Sequence, residues 1–241
     1  MVIHANQLDV QSPPPMIPDP LHAVIFDLDG LLLDTERVFH GVMFDAGRSL
    51  GYEMTDELFF SMIGSPRDVN EKRLLDSFGP DFPLMAYYKA CAEGFEKVCA
   101  KSVPLRPGAE RLLEMLKTLR VPRAVATSSS MHYARTSLKR AGVLDYFATI
   151  VTRGDVERGK PHPDSFLLAA KRLNVKPDRC LALEDSIQGV RAAASAGMAT
   201  VMVPDFLQPE PDVRRLCAGV VESLDEVADA VKDALGWRGG L

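Results

Sequence analysis

Apolar positions fall into two rhythms along this chain. Leu21-His22-Ala23-Val24-Ile25-Phe26 is a short, mostly apolar run that is β-branched in part. Such a run predicts a buried strand of a parallel sheet. It ends in Asp27-Leu28-Asp29-Gly30, where the glycine marks a tight turn. From Thr35 to about Lys101 apolar residues recur at helical spacing and strand-like runs are scarce. Helices are predicted from Glu36 to Leu50, from a Thr55 cap to Met62, from a Ser65 cap with Pro66 at its first position to Phe78, and from Leu84 to Ala100. After Pro107-Gly108 strands and helices alternate. Strands are predicted at Arg123–Ala126, Thr149–Val151, Cys180–Leu183 and Ala199–Val203. Helices are predicted at Ala109–Leu119, Met131–Ala141, Asp164–Leu173, Ile187–Ala196 and Leu224–Leu235.

That alternation implies an α/β fold: a doubly wound, Rossmann-like parallel sheet with helices on both faces. The expected organisation is a catalytic core of residues 21–34 and 105–241, interrupted by an all-helical insert over 35–104. Five of the 17 prolines fall in the first twenty residues, so 1–20 is predicted to be an irregular leader, with order beginning near Leu21. The leader precedes the first predicted strand, so its removal is expected to leave activity intact.

Composition narrows the class. Net charge is −5, with 28 Lys plus Arg against 33 Asp plus Glu and no basic block, which argues against a nucleic-acid partner. Residues 1–20 hold no Lys or Arg and no long apolar run, so they do not read as a signal peptide. No stretch has the length to span a bilayer. The four cysteines form no C-x-x-C pair, and buried reduced thiols are expected. A soluble, cytoplasmic monomer is the plain expectation.

Chemistry collects at the predicted strand ends, where ligands of open parallel sheets bind. The first strand carries Asp27 and Asp29, the second Thr127, Ser128 and Ser129, and a later one Glu184, Asp185 and Ser186. A short loop after Thr149–Val151 ends at Lys160. Clustered carboxylates repel one another unless a cation neutralises them, and hard oxygen ligands suit Mg²⁺. Thr127 and the amides after it suit an anion, and Lys160 could neutralise phosphoryl oxygens. A carboxylate can attack phosphorus, and a second can shuttle the proton, so Asp27 and Asp29 could divide those tasks. Each motif alone has a plainer reading. D-x-D-G occurs in ordinary turns and calcium loops, Thr-Ser-Ser is a helix cap, Lys160 is a loop charge, and Glu184-Asp185-Ser186 suits a helix start. Their joint occurrence, each at a strand end, favours one site.

Asp27-Leu28-Asp29-Gly30, Thr127-Ser128, Gly159-Lys160-Pro161 and Leu183-Glu184-Asp185-Ser186 resemble the four motifs of the haloacid dehalogenase superfamily. The likeness is to the branch of β-phosphoglucomutase and sugar-phosphate phosphatases, and it covers Leu21 to about Asp205. The resemblance implies that Asp27 is the nucleophile and a metal ligand. Asp29 would be the general acid/base, with its carbonyl on the metal. Thr127, Ser128 and Lys160 would hold the phosphoryl group, and Asp185 with Glu184 would complete a Mg²⁺ site. The helical insert would be the cap. Gly64-Ser65-Pro66-Arg67 resembles the cap loop that contacts substrate, making Arg67 a distal contact, although a surface charge at a helix start is its plainer reading.

The expected activity is Mg²⁺-dependent hydrolysis of a small phosphorylated metabolite, such as a sugar phosphate. The branch's mutases carry a histidine where this chain has Phe39, with His40 one residue on, which weakens a phosphotransferase reading. A non-catalytic phospho-metabolite sensor is the third alternative.

Overall fold

The computed structural model describes residues 16–63, 65 and 67–237. Its strands are β1 (Ala23–Phe26), β2 (Arg123–Ala126), β3 (Thr149–Val151), β4 (Cys180–Glu184), β5 (Ala199–Met202) and β6 (Gly219–Val220). They form one parallel sheet in the order β3-β2-β1-β4-β5-β6. In register, Phe26 lies between Val125 and Leu183, so the carboxyl ends of β1, β2 and β4 are level. The order reverses between β1 and β4, which makes their carboxyl ends the switch point of the sheet.

Side-chain alternation divides the core. Val24, Phe26, Val125, Leu181, Leu183 and Val201 belong to one buried layer, and Ala23, Ile25, Ala124, Ala126, Cys180 and Ala182 to the other. Ten helices accompany the sheet among the described residues. They are α1 (Thr35–Ser49), α2 (Asp56–Met62), α3 (Arg67–Phe78), α4 (Leu84–Cys99), α5 (Ala109–Thr118), α6 (Met131–Arg140), α7 (Asp164–Leu173), α8 (Ile187–Ser195), α9 (Pro211–Arg214) and α10 (Leu224–Ala234). Leu112, Leu113 and Leu116 of α5, with Val227 and Val231 of α10, fill the first layer. Phe166 and Ala169 of α7, with Ala192 and Ala193 of α8, fill the second. The sheet is therefore covered on both sides, as its largely apolar strands require.

Helices α1 to α4 surround a separate apolar cluster built on Val42, Met54, Met62, Leu74, Phe82 and Tyr87. The chain enters and leaves this helical segment side by side. Asp34 N donates to Pro104 O at 2.9 Å, and Arg106 N donates to Leu32 O at 3.0 Å.

Three expectations need adjustment. Packing begins before Leu21: Ile17 is buried in the first layer, and Arg179 donates to the Asp19 carbonyl. Cutting the chain at residue 20 would uncover part of that core. Pro13, Pro14 and Pro15 lie outside the described residues. The Ser65 hydroxyl accepts from Arg73 at 2.7 Å and donates to Ser61 O at 3.4 Å, bonds that lead away from a cap of α3. Gly64 and Pro66 lie outside the described residues. Strand β6 and helix α9 were not anticipated. A two-residue edge strand containing glycine carries no alternating signal. Thr55 does cap α2, accepting from Leu58 N at 3.2 Å. The four cysteines are unpaired thiols, three of them buried.

Candidate active site

Asp27 follows β1 directly, and its amide donates to Leu183 O at 2.9 Å, prolonging the ladder to β4 by one bond. That bond sets Asp27 beside Glu184, the last residue of β4, and Asp185. One carboxylate oxygen from each of Asp27, Glu184 and Asp185 lies within 4.8 Å of the others. Two glycines make this density possible. Gly30 has φ +84°, and a Cβ there would come within 2.3 Å of Asp185 Oδ2. At Gly189 a Cβ would come within 1.9 Å of the Glu184 carboxylate.

Among the described residues, one ammonium reaches this group. Lys160 donates to both Asp27 and Glu184, and its Nζ lies 5.1 Å from the Phe166 ring centroid. Burial alone would lower the Lys160 pKa, but Asp27 and then Glu184 outweigh it and hold the ammonium charged. Burial pushes Glu184 up despite the opposing attraction of Lys160. It pushes Asp185 well up too, and repulsion from Asp27 and Glu184 adds to the shift. One positive charge cannot balance three carboxylates, so the group as a whole favours a further cation.

Glu184 is occupied on both oxygens: Oε1 by Lys160, Oε2 by the Ser186 hydroxyl at 3.0 Å and the Ser186 amide at 3.3 Å. The Ser186 hydroxyl also accepts from Gly189 N at 3.1 Å, capping α8. Asp185 lines a cavity and receives no side-chain hydrogen bond among the described residues. Asp27, Asp185 and the remaining capacity of Glu184 thus form a hard, all-oxygen donor set that fits a divalent cation.

Asp29 is held differently. Its carboxylate accepts from Ser129 Oγ at 2.7 Å, Tyr133 Oη at 2.9 Å and Thr35 Oγ1 at 3.2 Å. Burial and then the Asp27 charge raise its pKa, against the opposing effect of those three bonds. Ser129 lies in the loop before α6, Tyr133 in the first turn of α6 and Thr35 at the start of α1. Ser129 was within the quoted hydroxyl run, whereas nothing in the sequence marked Tyr133 or Thr35.

Thr127 is buried at the end of β2. Its amide donates to Val151 O, and its hydroxyl oxygen accepts from Ser129 N at 3.0 Å. The cap of α6 is Ser130, so Thr127 is not spent on that helix. Ser128 is exposed and lines a separate hollow with Ser130, Met131 and Thr152. Within the run 127–129 it is the Ser129 hydroxyl that donates to Asp29. Arg67 is not brought to the cluster. Its guanidinium pairs with Glu71 at 2.8 Å and lies over the Tyr88 ring.

The cavity has a volume of about 270 Å³. Asp29, Glu36, Asp185 and Asp205 supply its acidic side, and Ile63, Ile187, Met202, Phe206 and Leu207 its apolar side. Glu36 was read only as a helix start. Its pKa is raised to about 7 by burial, then by the charges of Asp29, Asp205 and Asp27. His40 sits among Phe44, Phe59 and Phe206, and its Nε2 is 2.8 Å from Asp56. Phe39 stacks on Phe95.

Fold and site together define an α/β enzyme with its acidic centre at the switch point of a parallel sheet. The chain belongs to the haloacid dehalogenase-like hydrolase family, whose model matches residues 21–197. It is 34% identical over 178 residues to a phosphorylated carbohydrates phosphatase of Thermotoga maritima, covering 74% of this chain and 82% of that protein. A HAD family hydrolase of Deinococcus radiodurans R1, solved with bound phosphate and sodium, superposes with a TM-score of 0.77 at 28% identity, covering 92% of this chain and 99% of that one. A β-phosphoglucomutase of Clostridium difficile superposes with a TM-score of 0.65 at 25% identity, covering 90% and 97% respectively.

Proposed function

We propose that this protein is a Mg²⁺-dependent phosphatase of a small phosphorylated metabolite, of the sugar-phosphate type, acting through an aspartyl-phosphate on Asp27. The observation that carries the reading is the division of labour between two carboxylates two residues apart. Asp27 faces Lys160 and the other carboxylates, and Asp29 is held apart from them by three hydroxyl donors.

An Asp27 carboxylate oxygen attacks phosphorus and the ester P–O bond breaks. Asp29 gives its proton to the departing alcohol oxygen. Water then attacks the aspartyl-phosphate, Asp29 takes back a proton, and phosphate leaves with Asp27 restored. Lys160 offsets charge on the phosphoryl oxygens, and Thr127 with the amides that follow it offers donors to the same group. Asp27, Glu184 and Asp185, with the Asp29 carbonyl that the family resemblance adds, would hold Mg²⁺, which when bound screens the negative charge of the phosphate from the carboxylates.

Residues 35–104 fit the role of a cap over a core of 21–34 and 105–241. Their separate apolar cluster and adjacent entry and exit support this reading, as does the placing of Glu36 and Ile63 in the cavity wall. A cap of this kind excludes water from the reacting centre. Hydrolysis is favoured over phosphotransfer by the position of His40, whose ring is taken up by three phenylalanines and Asp56.

The test is phosphate release with Mg²⁺ over a panel of sugar phosphates, phosphoglycolate and nucleotides, comparing wild type with Asp27→Asn. Turnover by wild type alone is expected. Near wild-type hydrolysis by Asp27→Asn would overturn the nucleophile assignment, and conversion of a hexose 1-phosphate to its 6-phosphate without phosphate release would overturn the phosphatase.

A further inference from the structure

We infer that the substrate carries one phosphate on a small, neutral, hydroxyl-rich leaving group, and that the cavity rejects a second anionic group. The inference rests on the phosphatase reading and deepens it. With phosphorus beside Asp27, the leaving group extends into the adjoining cavity that Asp29 and Asp185 open onto. Among the described residues, none that lines the cavity is a lysine, arginine or histidine. Beyond the reacting centre it offers two carboxylates, Glu36 and Asp205, facing Ile63, Phe206 and Leu207.

The described cations that approach this region are committed elsewhere. Lys160 is bound to Asp27 and Glu184, and Arg67 to Glu71. Arg106 pairs with Asp205 at 2.6 Å and Arg37 with Asp205 at 3.6 Å, and both arginines line a different hollow with Gln208 and Arg214. Despite those pairs, Asp205 Oδ2 is buried with no hydrogen-bond partner among the described residues. Carboxyl oxygens accept hydrogen bonds, so Glu36 and Asp205 suit hydroxyl donors. A second phosphate or a carboxylate would meet like charge in a partly dry site, which is a strong rejecting element. The apolar wall suits the C–H face of a sugar or polyol. At about 270 Å³ the space lies near the lower end of ordinary ligand sites.

The experiment measures kcat/KM of the Mg²⁺-loaded enzyme for sugar and sugar-alcohol monophosphates, the corresponding bisphosphates and 2-phosphoglycolate, with p-nitrophenyl phosphate as reference ester. Monophosphates of neutral polyols should exceed both anionic classes by roughly 10²-fold. Glu36→Lys should narrow that ratio chiefly through KM for the bisphosphate, and Glu36→Gln should narrow it less. Bisphosphate or phosphoglycolate turnover equal to or better than that of the monophosphates would overturn the inference and leave the phosphatase standing. Absence of turnover of every ester, p-nitrophenyl phosphate included, would overturn both.

Discussion

Two groups of acids border the same cavity, one through Asp185 and the other through Asp205, and are neutralised in opposite ways. Around β1 and β4, Asp27, Glu184 and Asp185 share one ammonium, Lys160. Around the entry to the helical segment, Asp34 and Asp205 share two guanidinium groups. Arg106 lies 2.6 Å from Asp205 and 3.8 Å from Asp34, and Arg37 lies 3.6 Å and 3.3 Å from the same pair. The second group is balanced by the protein itself and ties the entry to and exit from the helical segment to the loop after β5. The first is short of positive charge. An internal ion pair that closes its own charge belongs to the scaffold, and a deficit left open at a switch point belongs to ligand binding.

Asp27→Asn should produce the largest effect, a loss of about 10⁴-fold or more in phosphate release, the scale on which a removed nucleophile acts. The fold should survive, since one of three crowded negative charges is gone. Steady-state hydrolysis and thermal unfolding of the same sample would check both halves. A variant that hydrolyses well, or one that fails to fold, would blur the contrast between the two groups.

Arg106→Met should do the reverse, costing stability first. It strands the buried Asp205 carboxylate and removes a partner of Asp34, so a loss of about 3–5 kcal/mol is expected. Urea unfolding monitored by circular dichroism measures it. A loss below about 1 kcal/mol would mean that the arginine group is not a scaffold element.

How much of this contrast could be read in advance depends on where each side chain sits. Asp27, Asp29, Glu184 and Asp185 were legible because each lies at or just beyond the carboxyl end of a strand, and Lys160 because it ends the loop after β3; a parallel sheet gathers the carboxyl ends of its strands. Arg106 and Asp205 were not. They are 99 residues apart, and their pairing depends on how the return from the helical segment lies against the loop after β5. Tyr133 and Thr35 were missed for a similar reason: their bonds to Asp29 depend on which way α6 and α1 are turned about their axes. Ile17 was hidden by its neighbours, since a proline-rich stretch lacks periodicity whether it is packed or free. Within the hydroxyl run 127–129 the sequence did not single out Ser129, whose hydroxyl donates to Asp29.

Divalent cation should distinguish the two groups without any change to the scaffold. Mg²⁺ at about 100 times its Kd should add about 2.7 kcal/mol of stability, reversed by chelator. Asp185→Asn should abolish most of that gain, whereas Arg106→Met should keep it on a lower baseline. Thermal unfolding with and without chelator reads both. An equal gain in wild type and Asp185→Asn would show that the cation binds elsewhere.

The smallest effect concerns Glu36, which faces both groups from the cavity wall. Its carboxyl is raised from 4.5 to about 7 by burial and by Asp29, Asp205 and Asp27, so the folded protein holds this proton more tightly than the unfolded chain does. Stability therefore falls as pH rises between those two values, because folding is favoured by the proton that the folded state retains. Solvent reaches this half-buried side chain, so the decline attributable to it should be about 1–2 kcal/mol. Glu36→Gln carries no titrating proton and should flatten the metal-free stability curve between pH 4.5 and 7. Asp29, Glu184 and Asp185, whose shifts have the same sign, would contribute to the remaining slope. Identical slopes for wild type and Glu36→Gln, measured by urea unfolding in chelator, would remove Glu36 from the charge deficit and confine it to the three carboxylates around Lys160.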